Sequence, residues 1–290
     1  MIEWRQRHPS LPAHDQPVRQ AIRPAAFRRA VRHRRASGPP GASERRERLA
    51  VAEKMFAERC KKSGVFIHRT AENVEGIFLM KLRGNDINYG GQYVMDDPYG
   101  KDLGGRGYIE SFLRGNPGTV GATAKGAPPR LGYHYVEAID PKDGQRYRYT
   151  GSVKEVTRTS SRLIGGDGKS FTTREFTLDK LPAPGAMPRY GVTNDDISTK
   201  EERDYWIAGS SLRVIDLHTN EVMAERIGYM MDRGQGSTSG GRSPWLLAAD
   251  NACPEFRRFQ HNVSVIPGSS AQARQTRDFV EKVLVPMNEN

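Results

Sequence analysis

Three carboxylates, Asp96, Asp97 and Asp102, fall within seven positions around Pro98-Tyr99-Gly100-Lys101. Oxygen ligands at that density can hold Ca²⁺, but the EF-hand spacing and its closing Glu are missing. Asx turns account for the same composition, because Asp side chains accept from backbone amides two residues on. The stretch 96–107 is still a candidate recognition loop, since a long loop in a compact domain is often functional. A second candidate is 234–243, Gly-Gln-Gly-Ser-Thr-Ser-Gly-Gly-Arg-Ser. Its backbone amides, with Arg233 and Arg242, make a concavity that can receive an anion. No serine there fits the nucleophile elbow: Gln235 precedes Ser237 where a Gly is required, and Ser237 precedes Ser239.

Other chemical signatures dissolve on inspection. Gly166-Asp167-Gly168-Lys169-Ser170 imitates a phosphate loop, but Leu163 occupies the position of the first Walker glycine. It reads as a turn. His68, His134, His218 and His261 are scattered and pair with no nucleophile in any motif; a triad assembled in space stays invisible to sequence. Arg146-Tyr147-Arg148-Tyr149 puts both tyrosines on one face of a strand and both arginines on the other. Stacked bases on such aromatics are one reading. Half-buried Tyr with solvated Arg is the ordinary antiparallel pattern. Cys60 and Cys253 are the two cysteines, 193 positions apart. Either they are unrelated buried thiols, or they form a disulfide tying the two end regions, which requires an oxidising compartment. Neither has a His at zinc-like spacing, and no metal or cofactor is expected.

The net charge of +11 suggests nucleic acid until its distribution is seen. Residues 1–48 hold twelve Arg, no Lys and four acids, leaving 33 basic and 30 acidic side chains in the rest. The body is almost neutral, so its overall field does not gather a polyanion, and nucleic acid is not expected as its ligand. Residues 1–43 have few apolar residues and no period, so they read as a disordered Arg-rich leader. No run of 18 apolar residues spans a membrane, and no apolar stretch follows the Arg pairs as an export signal would.

The elements that must position these groups occupy 44–287. A helix over 44–63, with Ser43 as its cap, places Leu49, Ala52, Met55, Phe56 and Cys60 on one face. Strand-like pieces follow at 65–68 and 75–82, with a polar turn at 70–73 between them. Residues 84–107 and 115–130 read as loops. One hairpin joins 131–139 to 145–153 through Asp140-Pro141-Lys142-Asp143-Gly144. A second pairs 154–158 with 170–178, and a third pairs 211–217 with 221–231. A helical turn over 199–204, started by Asp196 or Ser198, a short helix over 244–252 and a terminal helix over 272–285 complete the set. The terminal helix turns Phe279, Val280, Val283 and Leu284 inward. Helix, hairpins, helix predicts an α+β domain, an antiparallel sheet with the end helices packed on it and no βαβ alternation.

Over roughly residues 50–285 the chain resembles an uncharacterised family of exported, lipoprotein-like proteobacterial proteins. The residues that carry the resemblance include Glu58-Arg59-Cys60, Met95 through Asp102, Tyr205-Trp206-Ile207-Ala208-Gly209-Ser210-Ser211, and Arg242-Ser243-Pro244-Trp245 through Cys253-Pro254. Such relatives carry an apolar N-terminal signal where this chain has its Arg-rich leader. The resemblance implies the periplasm or cell envelope and one α+β domain, and it carries no activity. The expectation is a non-enzymatic envelope protein that binds a partner through the two Gly-rich loops. Rival readings are a hydrolase-like enzyme with an Asp/His site assembled in space, and nucleic-acid binding through the leader.

Overall fold

The computed structural model describes residues 41–84, 102–116, 131–160, 166–242, 244–256 and 274–288. The chain separates into Met1–Pro40 and Gly41–Asn290, and the second unit is described below. Residues 1–40 of the leader, Asp96, Asp97 and His261 lie outside the described residues, and 42–43 belong to the first helix.

Helix α1 runs Ala42–Cys60, two residues earlier than expected. Ser43 does not cap it: Gly41 holds the N-cap position, and the Ser43 hydroxyl donates to Glu47 inside the first turn at 3.1 Å. Strands β1 (Gly64–Ile67), β2 (Ala71–Val74) and β3 (Gly76–Leu79) follow. The expected turn at 70–73 is therefore mostly strand, with the bend taken by Asn73 at φ 57°. Helix α2, Gly105–Phe112, occupies part of the stretch read as a loop and buries Tyr108, Ile109 and Phe112. Strand β4 is Tyr135–Ile139, β5 Arg146–Thr159 and β6 Ser170–Pro182. The first two expected hairpins thus share one continuous strand, β5. Then come β7 (Tyr190–Asp196), the short helix α3 (Lys200–Asp204), β8 (Ile207–Asp216) and β9 (Glu221–Met231). The tail adds α4 (Pro244–Ala248), β10 (Ala252–Cys253), α5 (Gln275–Val283) and β11 (Leu284–Pro286).

The main sheet has the order β1-β9-β8-β7-β3-β4-β5-β6, with β10 also on β9, and is mostly antiparallel. Strand β3 is the exception, lying parallel to both β4 and β7. So β3-α2-β4 is one β-α-β crossover, where the sequence reading expected none. An eight-residue helix within glycine-rich sequence gives too short a periodic signal to announce it. Away from this sheet, β2 pairs in parallel with β11, attaching the C-terminal segment.

Side-chain alternation along the strands builds two layers. On one face Ile77, Leu79, Val136, Ala138, Tyr149, Val192, Leu212 and Val214 pack under α2 and α5. The inward set expected for the terminal segment, Phe279, Val280, Val283 and Leu284, is buried there. Burial of this kind contributes roughly 1.5–3 kcal/mol for each large side chain. On the opposite face Ile207, Tyr229 and Met231 pack against Ala52, Met55 and Phe56 of α1. The two end helices therefore cover opposite faces of the β8–β9 region.

The outer edge of β9 is shared by two strands. Strand β1 takes Ala224 through Ile227, and β10 takes Tyr229 and Met230. A disulfide joins Cys60, the last residue of α1, to Cys253 of β10, with Cα atoms 5.5 Å apart. Of the two readings of the cysteines, the paired one is the structure's.

Candidate functional site

The groups with the most developed local chemistry gather where β8 begins and β9 ends. Strand β9 delivers Asp232 into the Gly-rich loop with its side chain 1% exposed. Its backbone N–H donates to the Trp206 carbonyl at 3.0 Å, which fixes where the carboxylate sits. That carboxylate then accepts from the Gly234 amide at 3.0 Å and the Gly236 amide at 2.8 Å. Arg242 closes the ring from the far end of the loop, donating to Asp232 Oδ1 at 2.5 Å and to the Ser237 carbonyl at 2.7 Å. Bidentate guanidinium–carboxylate contacts and amide donors together make a strong acceptor site, because every donor carries full or partial positive charge.

The structure gives Arg242 and the loop amides a partner within the chain. They do form an anion-receiving concavity, but the anion is the chain's own Asp232. Arg233 turns away from it: its side chain is 65% exposed and faces Glu53 of α1 at 4.0 Å. An internal carboxylate at effectively fixed position outcompetes a free anion, which must give up translational freedom to bind.

The glycines of the loop sit close against what lies beside them. A Cβ on Gly234 would stand 2.1 Å from the Arg242 guanidinium, and one on Gly236 would stand 2.1 Å from the Trp206 indole. Gly236 also has φ +80°, the left-handed region that favours glycine. Two larger residues share that region, Trp206 at φ 58° and Gln235 at φ 48°. Such backbone persists only where surroundings over-determine it. Here Gln235 Nε2 donates to the carbonyls of Tyr205 at 2.9 Å and Asp232 at 3.1 Å. Gln235 Oε1 is buried and finds no donor among the described residues. Trp206 packs against Trp245 of α4 with ring centroids 5.0 Å apart, and the Arg203 guanidinium lies 5.2 Å from the Trp245 ring.

The base of the loop is tied to its neighbours. Thr199 and Glu202 form a reciprocal capping box at the start of α3, so Thr199 caps it rather than Asp196 or Ser198. The same Glu202, 1% exposed, forms an ion pair with Arg59 of α1. Arg48 of α1 hydrogen-bonds the Asp204 carbonyl and lies 4.8 Å from the centre of the Tyr205 ring. With the disulfide at its end, α1 is attached to this corner at several points. Burial, with the nearby Glu202 charge, pushes the Tyr229 phenol up in pKa. What reaches solvent is the tip, Ser237 through Gly241. It offers hydroxyls, amides and carbonyls on a backbone held from below.

Asp102 lies elsewhere. It is 6% exposed, and its carboxylate accepts from the Arg274 amide at 2.6 Å, the Thr276 amide at 2.8 Å and the Thr276 hydroxyl at 2.6 Å. Arg274 is the N-cap of α5 and supplies no side-chain cap of its own. Asp102 thus fills that role from 174 residues away, its charge set against the positive end of α5. A carboxylate engaged this way is an architectural group of α5. His134 stands beside Arg114 at 3.3 Å, while His68 and His218 are exposed. No set of three metal-ligating side chains comes together among the described residues.

Two further ionic centres escaped the sequence reading. Glu137 is fully buried on the α1-side face, accepting from Arg148 at 2.9 Å with Arg146 at 3.4 Å, while Tyr149 points into the core. The Arg/Tyr alternation does place the two residue types on opposite faces, but Arg146 and Arg148 are part-buried partners of Glu137 rather than solvated. Asp216 is fully buried between Arg189 at 2.9 Å and Arg69 at 2.8 Å. The Arg189 hydrogen bond, then the His218 amide, hold its carboxyl at about 2 against burial. No window of sequence pairs Arg69 with Asp216; the Asp232-x-Gly-x-Gly spacing, by contrast, is a legible Asx-type turn. No described helix is long and apolar enough to cross a membrane. Compared with protein-family models, curated proteins and solved structures, the chain matches none.

Proposed function

We propose that the protein is a non-enzymatic binding module of an oxidising compartment, the cell envelope, which engages a partner protein through the 234–242 loop. The observation that carries this reading is the closure of that loop on Asp232. A loop already held in one conformation binds without the ordering cost that a free segment meets, roughly 0.5–1.5 kcal/mol for each side chain immobilised. The disulfide supports the compartment, since such bonds persist where thiols are not kept reduced. The partner surface implied is one rich in hydrogen-bonding groups, matching the hydroxyls of Ser237, Thr238 and Ser239.

A photo-reactive residue at Thr238 tests this in the full chain, expressed in its native host with thiols alkylated at lysis. The reading requires a discrete envelope adduct, an oxidised Cys60–Cys253 pair in the same fraction, and loss of the adduct in Asp232→Asn. Free thiols, or an adduct indifferent to Asp232→Asn, overturn it.

A further inference from the structure

The far edge of β9 bears a second surface. Strand β1 reads Gly64-Val65-Phe66-Ile67, and its three large apolar side chains are 49%, 42% and 43% exposed. It pairs with β9 on one side, and no described residue pairs with the other. The His68 amide donates inward to the Met223 carbonyl at 2.9 Å. Inward and outward groups alternate along an antiparallel strand, so Phe66 shares the inward direction, and the N–H and C=O of Val65 and Ile67 point outward. The same alternation sets Val65 and Ile67 on one face of the sheet and Phe66 on the other. The edge therefore offers four backbone groups with apolar surface above and below them. Exposed edges are ordinarily blunted by charge on the strand itself. Here the charge is displaced to the two ends.

That charge has one sign. Lys61 and Lys62 precede the strand, His68 and Arg69 follow it, and residues 61–69 contain no acid. Glu58 is the nearby carboxylate before the strand, and it is shared: Lys61 binds it at 2.6 Å, and Lys54 and Lys62 lower its pKa further after Lys61. Lys62 forms no ion pair among the described residues. Arg69 is answered by Asp216 and Glu221, so the unbalanced charge is greatest at the lysine end. A second copy pairing antiparallel about Phe66 would place Ser63 opposite Arg69 and Lys62 opposite Thr70, which makes Lys62 of one copy and Arg69 of the other adjacent across the seam. Like charges at neighbouring positions across a strand pair repel, less strongly than directly opposite ones. An apolar segment flanked by acids has the opposite balance.

We propose that β1 is a docking edge for an extended segment of another protein, apolar at its centre and acidic at its ends, which adds as a further strand of the sheet. Backbone hydrogen bonds to Val65 and Ile67 supply register-dependent affinity, and the lysines select the charge of the flanks. This site is separate from the 234–242 loop and does not depend on it.

The test uses full-length oxidised protein and a fluorescent nine-residue peptide, Glu-Glu-Val-Thr-Val-Thr-Val-Glu-Glu. Comparison peptides carry Lys at the flanks, or N-methyl groups on alternate amides. Fluorescence anisotropy is expected to show the acidic peptide bound at least roughly tenfold tighter than the Lys-flanked one, a gap that narrows in high salt. N-methylation abolishes binding, and Ile67→Lys weakens it. Lys61→Glu with Lys62→Glu inverts the flank preference, a result that loss of folding cannot produce. Asp232→Asn leaves binding unchanged, so failure of the loop reading and failure of this one are distinguishable. Equal binding of both flanks, no binding of the acidic peptide, or peptide-free dimers dissolved by Ile67→Lys would each overturn the proposal, the last in favour of a second copy.

Discussion

Breaking the Cys60–Cys253 bond should remove several kilocalories of stability without changing the fold. The bond closes a loop of 193 residues' separation, and its main effect falls on the unfolded chain, whose ends it holds together. The chain-entropy relation gives about 5 kcal/mol at this length, and native disulfides measure about 2–5 kcal/mol. The folded side changes less. Helix α1 keeps its contact of Ala52 with Ile207 and Tyr229, Arg59 keeps Glu202, and β1 keeps its register on β9. We expect a loss of about 3–5 kcal/mol. With a urea slope of about 3 kcal/mol/M for a domain of this size, the midpoint falls by about 1–2 M. The assay is urea unfolding of oxidised protein, of the same protein with reductant, and of Cys60→Ala/Cys253→Ala. The reduced wild type keeps every side-chain atom, so it separates the cross-link from lost packing. Its slope should also rise, because an unlinked denatured chain exposes more surface. A midpoint shift below about 0.3 M on reduction, with the bond shown broken by alkylation, would refute this reasoning.

Asp232→Asn replaces an acceptor of four donors with a group that presents an N–H to one of them, so a loss of about 3 kcal/mol and a melting temperature lower by roughly 6–12 °C are expected by calorimetry. Gly236→Ala meets both the positive φ and the Trp206 ring; near-ultraviolet circular dichroism should lose the Trp206–Trp245 signal, and an unchanged spectrum would sink the packing argument. Asp216 has its folded pKa depressed to about 2 from 3.8, so its contribution is present above pH 4 and is lost as pH falls from there through 2. Since Arg69 and Arg189 are half exposed, we discount the effect for solvent screening to about 1–2 kcal/mol; Asp216→Asn should flatten that stretch of the stability–pH curve, and an undiminished slope would assign acid lability elsewhere. Asp102→Ala leaves the first amides of α5 without their carboxylate acceptor and removes the ion pair to Arg83, 3.6 Å away, so hydrogen exchange should show α5 opening about 2–3 kcal/mol more easily than before.

The sequence by itself determined the elements whose signals are local. The Asp140–Gly144 turn is legible because Gly144 must reach φ +71°, and Asp140 and Asp143 accept from amides two residues on. Arg146 through Tyr149 alternate as strand β5 requires, and Phe279, Val280 and Val283 repeat as a helix requires. Both end helices, the hairpins and the α+β class follow from neighbours within about four residues. The Gly-rich loop was legible as a candidate, but its closing ion was not. Tertiary structure alone decided which charges meet. Arg59 finds Glu202 across 143 positions, Arg69 finds Asp216 across 147, and Asp102 caps α5 across 174. It also placed β3 parallel between β4 and β7, and it chose the paired reading of Cys60 and Cys253. The physical reason is common to all of these. Helical and strand periods are set by the backbone geometry of adjacent residues, whereas a buried charge needs only some opposite charge nearby in space. Nothing in the spacing of a chain says which one folding will bring.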